Sequence, residues 1–433
     1  MDTYYLRSFG CQMNEHDAER IRAVLESQGL APVATPDEAR IIVYNTCTVR
    51  RSADERFAGH IGAAARIKRQ DPRRTIIVTG CLPQAEREAF FATYPFVDAA
   101  IGPQNLDRLA DVVSAPTRER QGFFDDRPLL SGEMASRRAR PFQAWVQIMT
   151  GCTNACSYCI VPLVRGPERS RTVQSILGET HALVADGVRE ITLLGQNVNA
   201  YGGDLPCATQ EATFPSLLAA LDGIDGIERI RFMTSHPRDL SDDLIAAIAT
   251  LPSVCEHVHL PVQSGSSAIL AAMRRSYTRD AYLERVAALR HGVRHVAVTT
   301  DIIVGFPGET ESDFAETLDL VRAAAFDGAY TFMYSARAGT AAAEMPDQVA
   351  TEVKRDRLQR LIALTQQEAR QRQQRLVGKR CDVLVEGPSR HPGTLRGRTR
   401  QNVTVNFTGT AVAGAIVSVL VTDATSTTLR GHV

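Results

Sequence analysis

Little in this chain marks it as a membrane, secreted or fibrous protein. No uninterrupted apolar stretch in its 433 residues approaches the roughly 20 that cross a bilayer. The first residues, Met1-Asp2-Thr3-Tyr4-Tyr5, have no basic region leading into an apolar run, so no secretory leader is expected. Net charge is absent too: the formal total is zero, with 44 % hydrophobic and 23 % charged residues, values that exclude a disordered or fibrous chain. A cytoplasmic protein is the expectation. In a reducing compartment its nine cysteines are better read as metal ligands or reactive groups than as a disulfide framework. A single core rarely grows far beyond about 250 residues, so the chain divides into two to four domains.

The zero net charge conceals an asymmetry. Residues 353–400 hold thirteen Lys and Arg against four acids, a local +9 that the rest of the chain cancels. Such a concentration suggests a nucleic-acid contact surface near the C-terminus, although a solvated helix face has the same composition.

Hydrophobic patterning divides the chain into three regions of α/β character. Short apolar runs at 4–8, 41–45, 76–79 and 99–101, separated by helical stretches, predict a parallel, doubly wound sheet over 1–116. A linker rich in Arg, Pro, Ser and Gly spans 117–140 and predicts no packed element of its own. Six strand-like runs follow at 145–149, 190–194, 229–233, 257–260, 296–303 and 330–334 with helices between, predicting a partial, TIM-like (β/α)6 barrel over 141–370. Residues 371–433 alternate Val and Leu with polar residues around Gly-rich turns, the pattern of a small antiparallel β-barrel.

The cysteines fall where such folds keep their chemistry, just beyond strand carboxyl ends. Cys152, Cys156 and Cys159 follow the first barrel strand within eight residues. Three soft ligands in one short loop suit an iron–sulfur cluster or zinc. A four-iron cluster normally takes four cysteines, so three leave one iron open. Cys11, Cys47 and Cys81 each end one strand of the first domain, 36 and 34 residues apart, one βα unit each. Neighbouring strands lie about 4.8 Å apart, so all three can converge on a second open cluster; the alternative is three buried core cysteines. Gly10 and Gly80 suit turns where backbone passes close to a ligand. Cys207, Cys255 and Cys381 have no such register and are read as structural or incidental.

The Cys-xxx-Cys-xx-Cys spacing, with Tyr158 before the last cysteine and βα units after it, resembles the radical S-adenosylmethionine (SAM) superfamily. Phe9-Gly-Cys-Gln-Met-Asn14, Asn45-Thr-Cys-Thr-Val-Arg50 and Thr79-Gly-Cys81 narrow this to the methylthiotransferases, and the barrel motifs Leu193-Leu-Gly-Gln-Asn-Val-Asn-Ala-Tyr201, Thr234-Ser-His-Pro237, His259-Leu-Pro-Val-Gln-Ser-Gly265 and Ile303-Val-Gly-Phe-Pro-Gly-Glu-Thr310 resemble the MiaB type over nearly the whole chain. The resemblance implies a methylthiotransferase N-terminal domain, a radical SAM core and an RNA-binding TRAM domain. It also implies two 4Fe-4S clusters, the catalytic one on Cys152, Cys156 and Cys159 and an auxiliary one on Cys11, Cys47 and Cys81. Two SAM are consumed per turnover: one yields a 5′-deoxyadenosyl radical that activates the substrate C–H bond, the other methylates the sulfur.

The implied substrate is isopentenyladenosine at position 37 of tRNA, methylthiolated at C2 of the adenine. The implied partners are a sulfur source and an electron donor such as flavodoxin or ferredoxin, for a monomeric chain. Tyr158, Gln196, Asn197, Ser235, Gln263 and Gly305 are the candidates for holding SAM. Arg165 and Arg169, with Arg396, Arg398 and Arg400, are the candidates for RNA, and Arg171 stands beside the first two. His236 precedes a proline and is read as a structural hydrogen-bonder. The chain departs from the expected pattern at Ala338, where a proline usually precedes the glycine, and over 203–212. Rival readings are methylthiolation of threonylcarbamoyladenosine in tRNA or of a ribosomal-protein aspartate, and an iron–sulfur RNA-binding protein without turnover.

Overall fold

The computed structural model describes residues 2–48, 51–114, 119–126, 134–205 and 212–433. Its first unit is a six-stranded, all-parallel sheet built from β1 (Thr3–Ser8), β2 (Ala31–Pro32), β3 (Ile41–Thr46), β4 (Thr75–Gly80), β5 (Ala99–Ile101) and β6 (Gln121–Phe123), in the order β2-β1-β3-β4-β5-β6. Both faces are covered, which is why the central strands read as continuous apolar runs. Ile42, Tyr44, Ile76 and Val78 pack against Phe57 and Ile61 of α2 (Arg51–Gln70) on one face. Ile41, Val43 and Ile77 pack against Ile21 and Leu25 of α1 (Gln12–Ser27) on the other. The strand order reverses between β1 and β3, and this opens the crevice at the carboxyl ends where Cys11 and Cys47 lie.

The four expected strands are present, and the linker differs from expectation. Gln121–Phe123 adds to the sheet as edge strand β6, paired Ala99 to Gln121, and Ser136 and Ala139 both donate to the carboxylate of Glu19 on α1. A Pro- and Gly-rich composition hides such elements because three residues on a sheet edge need only backbone pairing. Residues 115–118 and 127–133 of that stretch lie outside the described residues.

The second unit holds β7 (Gln143–Gln147), the short ribbon β8 (Met149–Thr150) with β9 (Arg169–Ser170), then β10 (Glu190–Leu194), β11 (Arg229–Phe232), β12 (His257–His259), β13 (Ala297–Val304) and β14 (Gly328–Met333). Parallel pairing gives β7-β10-β11 and β12-β13-β14, joined by a parallel bridge between Ile230 and Val254. All six expected barrel strands are there. Thr172, Ser241, Thr278 and Thr310 cap the helices that follow them, each hydroxyl accepting a backbone N–H of the first turn. Val146, Leu193, Ile230, Val258, Val298 and Leu320 belong to the core between strands and helices. The last helix, Thr351–Gln374, runs past the expected boundary at 370.

β15 (Arg380–Pro388), β16 (Leu395–Thr399), β17 (Thr404–Thr408), β18 (Ile416–Ala424) and β19 (Thr428–His432) close a five-stranded barrel around Val383, Val405, Phe407, Val419 and Leu429. It is antiparallel except where β17 and β19 run parallel. An odd number of strands cannot alternate direction all the way round a closed ring, so one parallel pair is obligatory.

This small barrel is seated on the N-terminal ends of the large barrel's strands, opposite the cysteines. Arg229 and Arg231, on the side of β11 away from core residues Ile230 and Phe232, donate to the carbonyls of Arg398 (2.8 Å), Asp382 (3.0 Å), Arg400 (2.7 Å) and Thr399 (2.8 Å). Arg231 is also paired with Glu190 at 2.8 Å, both buried. Removing one partner of a buried pair strands the other. Arg231→Met is therefore expected to lower unfolding stability by about 3–5 kcal/mol and to speed proteolysis between Gln374 and Arg380, read by denaturant unfolding and limited trypsin digestion; a loss under about 1 kcal/mol would show that this contact does not hold the two barrels together.

Candidate active site between two cysteine sets

Gly151 enters the first cysteine loop with φ +77°, and a Cβ there would sit 2.0 Å from the Pro167 carbonyl, so the turn admits only glycine. The backbone N–H of Cys152 then bonds the Gly166 carbonyl (3.1 Å) and that of Cys159 bonds the Cys156 carbonyl (3.1 Å), folding the loop back on itself. Ser157 pins the loop to the segment at Ala272 and Met273. Asn154 Nδ2 donates to Cys152 Sγ (3.4 Å), and Arg275 Nη1 donates to Cys156 Sγ (3.5 Å). Burial pushes the Cys152 thiol up and that of Cys159 to about 12, so these groups become thiolates only with a compensating positive centre. Tyr158 packs beside Ile269, Met273, Phe306 and Tyr334, and burial raises its phenol.

The proposed SAM contacts follow four consecutive strands and so share a rim: Gln196 and Asn197 after β10, Ser235 after β11, Gln263 after β12 and Gly305 after β13. Three of them carry buried atoms with no hydrogen-bond partner among the described residues, namely Gln196 Oε1, Asn197 Oδ1 and Ser235 Oγ. Buried polar atoms without partners are costly, and three on one rim fit a polar ligand such as SAM. Gln263 holds φ +73° because its N–H and carbonyl both bond β13, at Asp301 and Ile303. Gly305 has another reason for being glycine: a Cβ would lie 2.3 Å from the Lys354 stem. His236 is held by internal hydrogen bonds: its Nδ1 accepts from the Arg238 N–H, Asn199 brackets its backbone, and burial pulls its pKa down to about 3.

The second set is assembled by sheet register. Ser8 pairs with Asn45 and Thr46 with Gly80, so the three strands end level and Cys11, Cys47 and Cys81 emerge together. Two fully buried asparagines tie the loops: Asn14 Nδ2 donates to Asn45 Oδ1 (3.1 Å) and to the Thr46 carbonyl (2.9 Å), and Asn45 Nδ2 donates to the Asn14 carbonyl (2.8 Å). At Gly10 a Cβ would lie 2.4 Å from that of Cys47. A hydrogen bond from Cys47 holds Cys11 down to about 6, while burial pushes Cys81 up. Among the described residues no three His, Cys, Asp or Glu side chains close on a point as ligands of a single ion do.

The two sets are linked through one apolar contact. Cys81 packs against Ile160 and Val164, on the helix Val161–Arg165 that leaves the first loop and the residue before it. Arg165, expected to meet RNA, points inward instead: it is 5 % exposed, pairs with Asp17 at 3.1 Å and stands beside Cys81. The correction has a plain cause, since a helix seated on another domain offers its last residue to that domain. Arg171 is likewise buried on Glu179 and the Gln147 carbonyl. Arg400 holds Glu256 of the large barrel with paired bonds, so it serves the seat, while Arg398 holds Glu386 and Asn402 within the small barrel; Arg396 touches Glu386 and, like Arg169, is half-exposed. Cys255 is buried and Cys381 half-buried, neither being in these loops, while Cys207 lies outside the described residues. The loop containing Ala338 is held by Arg337, bonded to Asp54 of α2 at 2.5 Å.

Arg275 and Glu168 escaped the sequence reading. Glu168 sits beside Cys152 with a buried oxygen lacking a partner among the described residues, and neither residue carries a spacing signal. Asn45→Ala removes three buried hydrogen bonds at the second set and is expected to cost about 2–4 kcal/mol. If Cys11, Cys47 and Cys81 hold iron as the sequence leads one to expect, it should also release iron from that set only, measured as iron content with and without Cys156→Ala; full iron retention would disprove the asparagine tie.

Residues 146–321 match the Radical SAM superfamily, residues 3–102 the uncharacterized protein family UPF0004, and residues 374–433 the TRAM domain. The chain is 46 % identical over 409 residues to the tRNA-2-methylthio-N(6)-dimethylallyladenosine synthase of Caldicellulosiruptor saccharolyticus, covering 93 % of this chain and 86 % of that one. It is 45 % identical over 439 residues to the protein of the same name from Pelotomaculum thermopropionicum, covering 100 % and 97 %. Among solved structures, the radical SAM methyltransferase TsrM of Kitasatospora setae superimposes with a TM-score of 0.56 at 14 % identity over 79 % of this chain and 74 % of that one, a likeness of fold. With three matched regions in the order that the fold displays, and relatives this similar along the whole length, the chain belongs to the family of tRNA-2-methylthio-N(6)-dimethylallyladenosine synthases, radical SAM enzymes that methylthiolate tRNA.

Proposed function

We propose that this enzyme converts dimethylallyl (isopentenyl) adenosine at position 37 of tRNA to its 2-methylthio derivative, with two 4Fe-4S clusters and two SAM per turnover. The observation that supports this reading is the contact of one N-terminal cysteine with the segment that leaves the other cysteine loop, Cys81 against Ile160 and Val164. Each set supplies three thiolates, so each leaves one iron for an exogenous ligand. When bound, the cluster on Cys152, Cys156 and Cys159 supplies, with SAM, the radical that activates the adenine C2–H bond, and the other supports delivery of methylated sulfur.

The chain's own residues bind, orient and exclude water. Gln196, Asn197 and Ser235 offer their unpartnered atoms to the polar groups of SAM, with Tyr158, Gln263 and Gly305 shaping the same pocket. Arg275 and Asn154 donate to the sulfurs of Cys156 and Cys152 and keep those thiolates aimed at the cluster. Arg169 and Arg396 remain candidates for tRNA phosphates, beside the TRAM match. No helix among the described residues is long and apolar enough to cross a membrane. The reading places the enzyme in the cytoplasm as a monomer, supplied by a flavodoxin or ferredoxin and a sulfur source.

The test is anaerobic reconstitution with reductant, SAM, sulfide and tRNA bearing the dimethylallyl nucleoside, followed by digestion and mass spectrometry. Wild type should form the methylthio nucleoside. Cys156→Ala should form none and cleave no SAM, whereas Cys81→Ala should still cleave SAM without forming it. SAM cleavage by wild type with that nucleoside left unmodified would refute the substrate assignment.

A further inference from the structure

Between the N-terminal domain and the barrel lies a buried cluster of charge that the reaction described above does not use. Arg20, Arg165 and Arg171 are all buried there, with Asp17 and Glu179 as the carboxylates among them. His16 stands in the same place, kept neutral by burial and by the three arginines. Three guanidiniums and two carboxylates meet there. A buried guanidinium is costly unless anionic groups lie against it.

The guanidinium that faces the cysteines is that of Arg165. It bonds Asp17 at 3.1 Å on one side and stands against Cys81 and Cys11 on the other, and its carbonyl accepts from Gln104 at 2.7 Å, a second anchor to the N-terminal domain. Arg275 stands in the same relation to Cys156 at the other set, so each set has its own guanidinium. A cluster on three thiolates is negatively charged, more so when reduced, and hydrogen bonds and net charge at the sulfurs are among the main determinants of its reduction potential.

We propose that Arg165 is a positioning residue for the N-terminal cluster: reaching across the domain interface from the radical SAM barrel, its guanidinium supplies the positive charge that stabilises the reduced cluster, and Asp17 moderates it. This rests on the reading that Cys11, Cys47 and Cys81 hold a cluster. The consequence is that the barrel, through one side chain, sets the potential of a cluster bound by the other domain.

The experiment uses full-length chain with Cys152, Cys156 and Cys159 replaced by Ala, so that iron bound after anaerobic reconstitution belongs to the N-terminal set. Its midpoint potential is followed by reductive titration with electron paramagnetic resonance. Arg165→Met should favour the oxidised form roughly tenfold, a shift of about 59 mV downward for one electron. Asp17→Asn should move it upward, and Arg165→Lys should lie between wild type and Arg165→Met. Opposite signs at two partners of one ion pair are not produced by general loosening. Unchanged potentials, or shifts of one sign in both variants, would overturn the proposal. If Arg165→Met does not fold, Asp17→Asn and Arg165→Lys carry the test. A background chain that binds no iron would overturn the cluster reading itself, and the proposal with it.

Discussion

The ion pair between Arg165 and Asp17, 3.1 Å long and shielded from water, is the contact on which the arrangement of this enzyme turns. Two charges withdrawn from solvent gain little net stability over apolar side chains of the same size; what they impose is geometry, because neither tolerates separation from the other. Here the imposed geometry is the distance between two cysteine sets on different domains. Arg165 ends the helix that leaves the first cysteine loop, and Asp17 lies on α1, whose first turn begins at Cys11. Anything that moves one domain against the other must first expose that pair.

At the opposite end of the barrel the same residue types do a different job. Arg229 and Arg231 occupy the strand face that would otherwise line an open bottom, and their donors are spent on carbonyls of the small barrel. The molecule is thereby polar from end to end: backbone docking closes the strands' N-terminal ends, and the carboxyl ends are left for cysteines and unpartnered rim atoms. A tRNA held by the small barrel and offering its base to the cysteines would have to run along the outside of the large barrel. Of the C-terminal arginines, Arg400 is spent on Glu256 of the large barrel and Arg398 on Glu386 within the small one.

Much of the fold was legible in the chain because its signals are local. Parallel strands buried on both faces read as short apolar runs, so β1, β3, β4, β5 and all six large-barrel strands were visible, as was the Gly-rich alternation of β15 to β19. Strand β6 was not, since an edge of three residues is made by backbone pairing rather than composition. Of the site, the cysteines were legible from spacing: a compact loop in one set and one βα interval between members in the other. Arg165 was misread because charge in a sequence carries no direction; the same residue would meet solvent or a buried carboxylate depending on what its helix packs against.

The sequence by itself determined the chemistry: six cysteines at strand ends, the glycines that let backbone turn around them, and strand periodicity that puts rim residues such as Gln196 and Ser235 after successive strands. Those depend on intervals of a few residues up to one βα unit, which the chain carries in its order. Only the tertiary structure decided which domain supports which site. Arg165 and Asp17 are 148 positions apart, Arg231 and Thr399 are 168 apart, and no local pattern links them. The physical reason is that a buried charge takes its partner from whatever folding brings alongside it, and that is settled by the packing of whole domains.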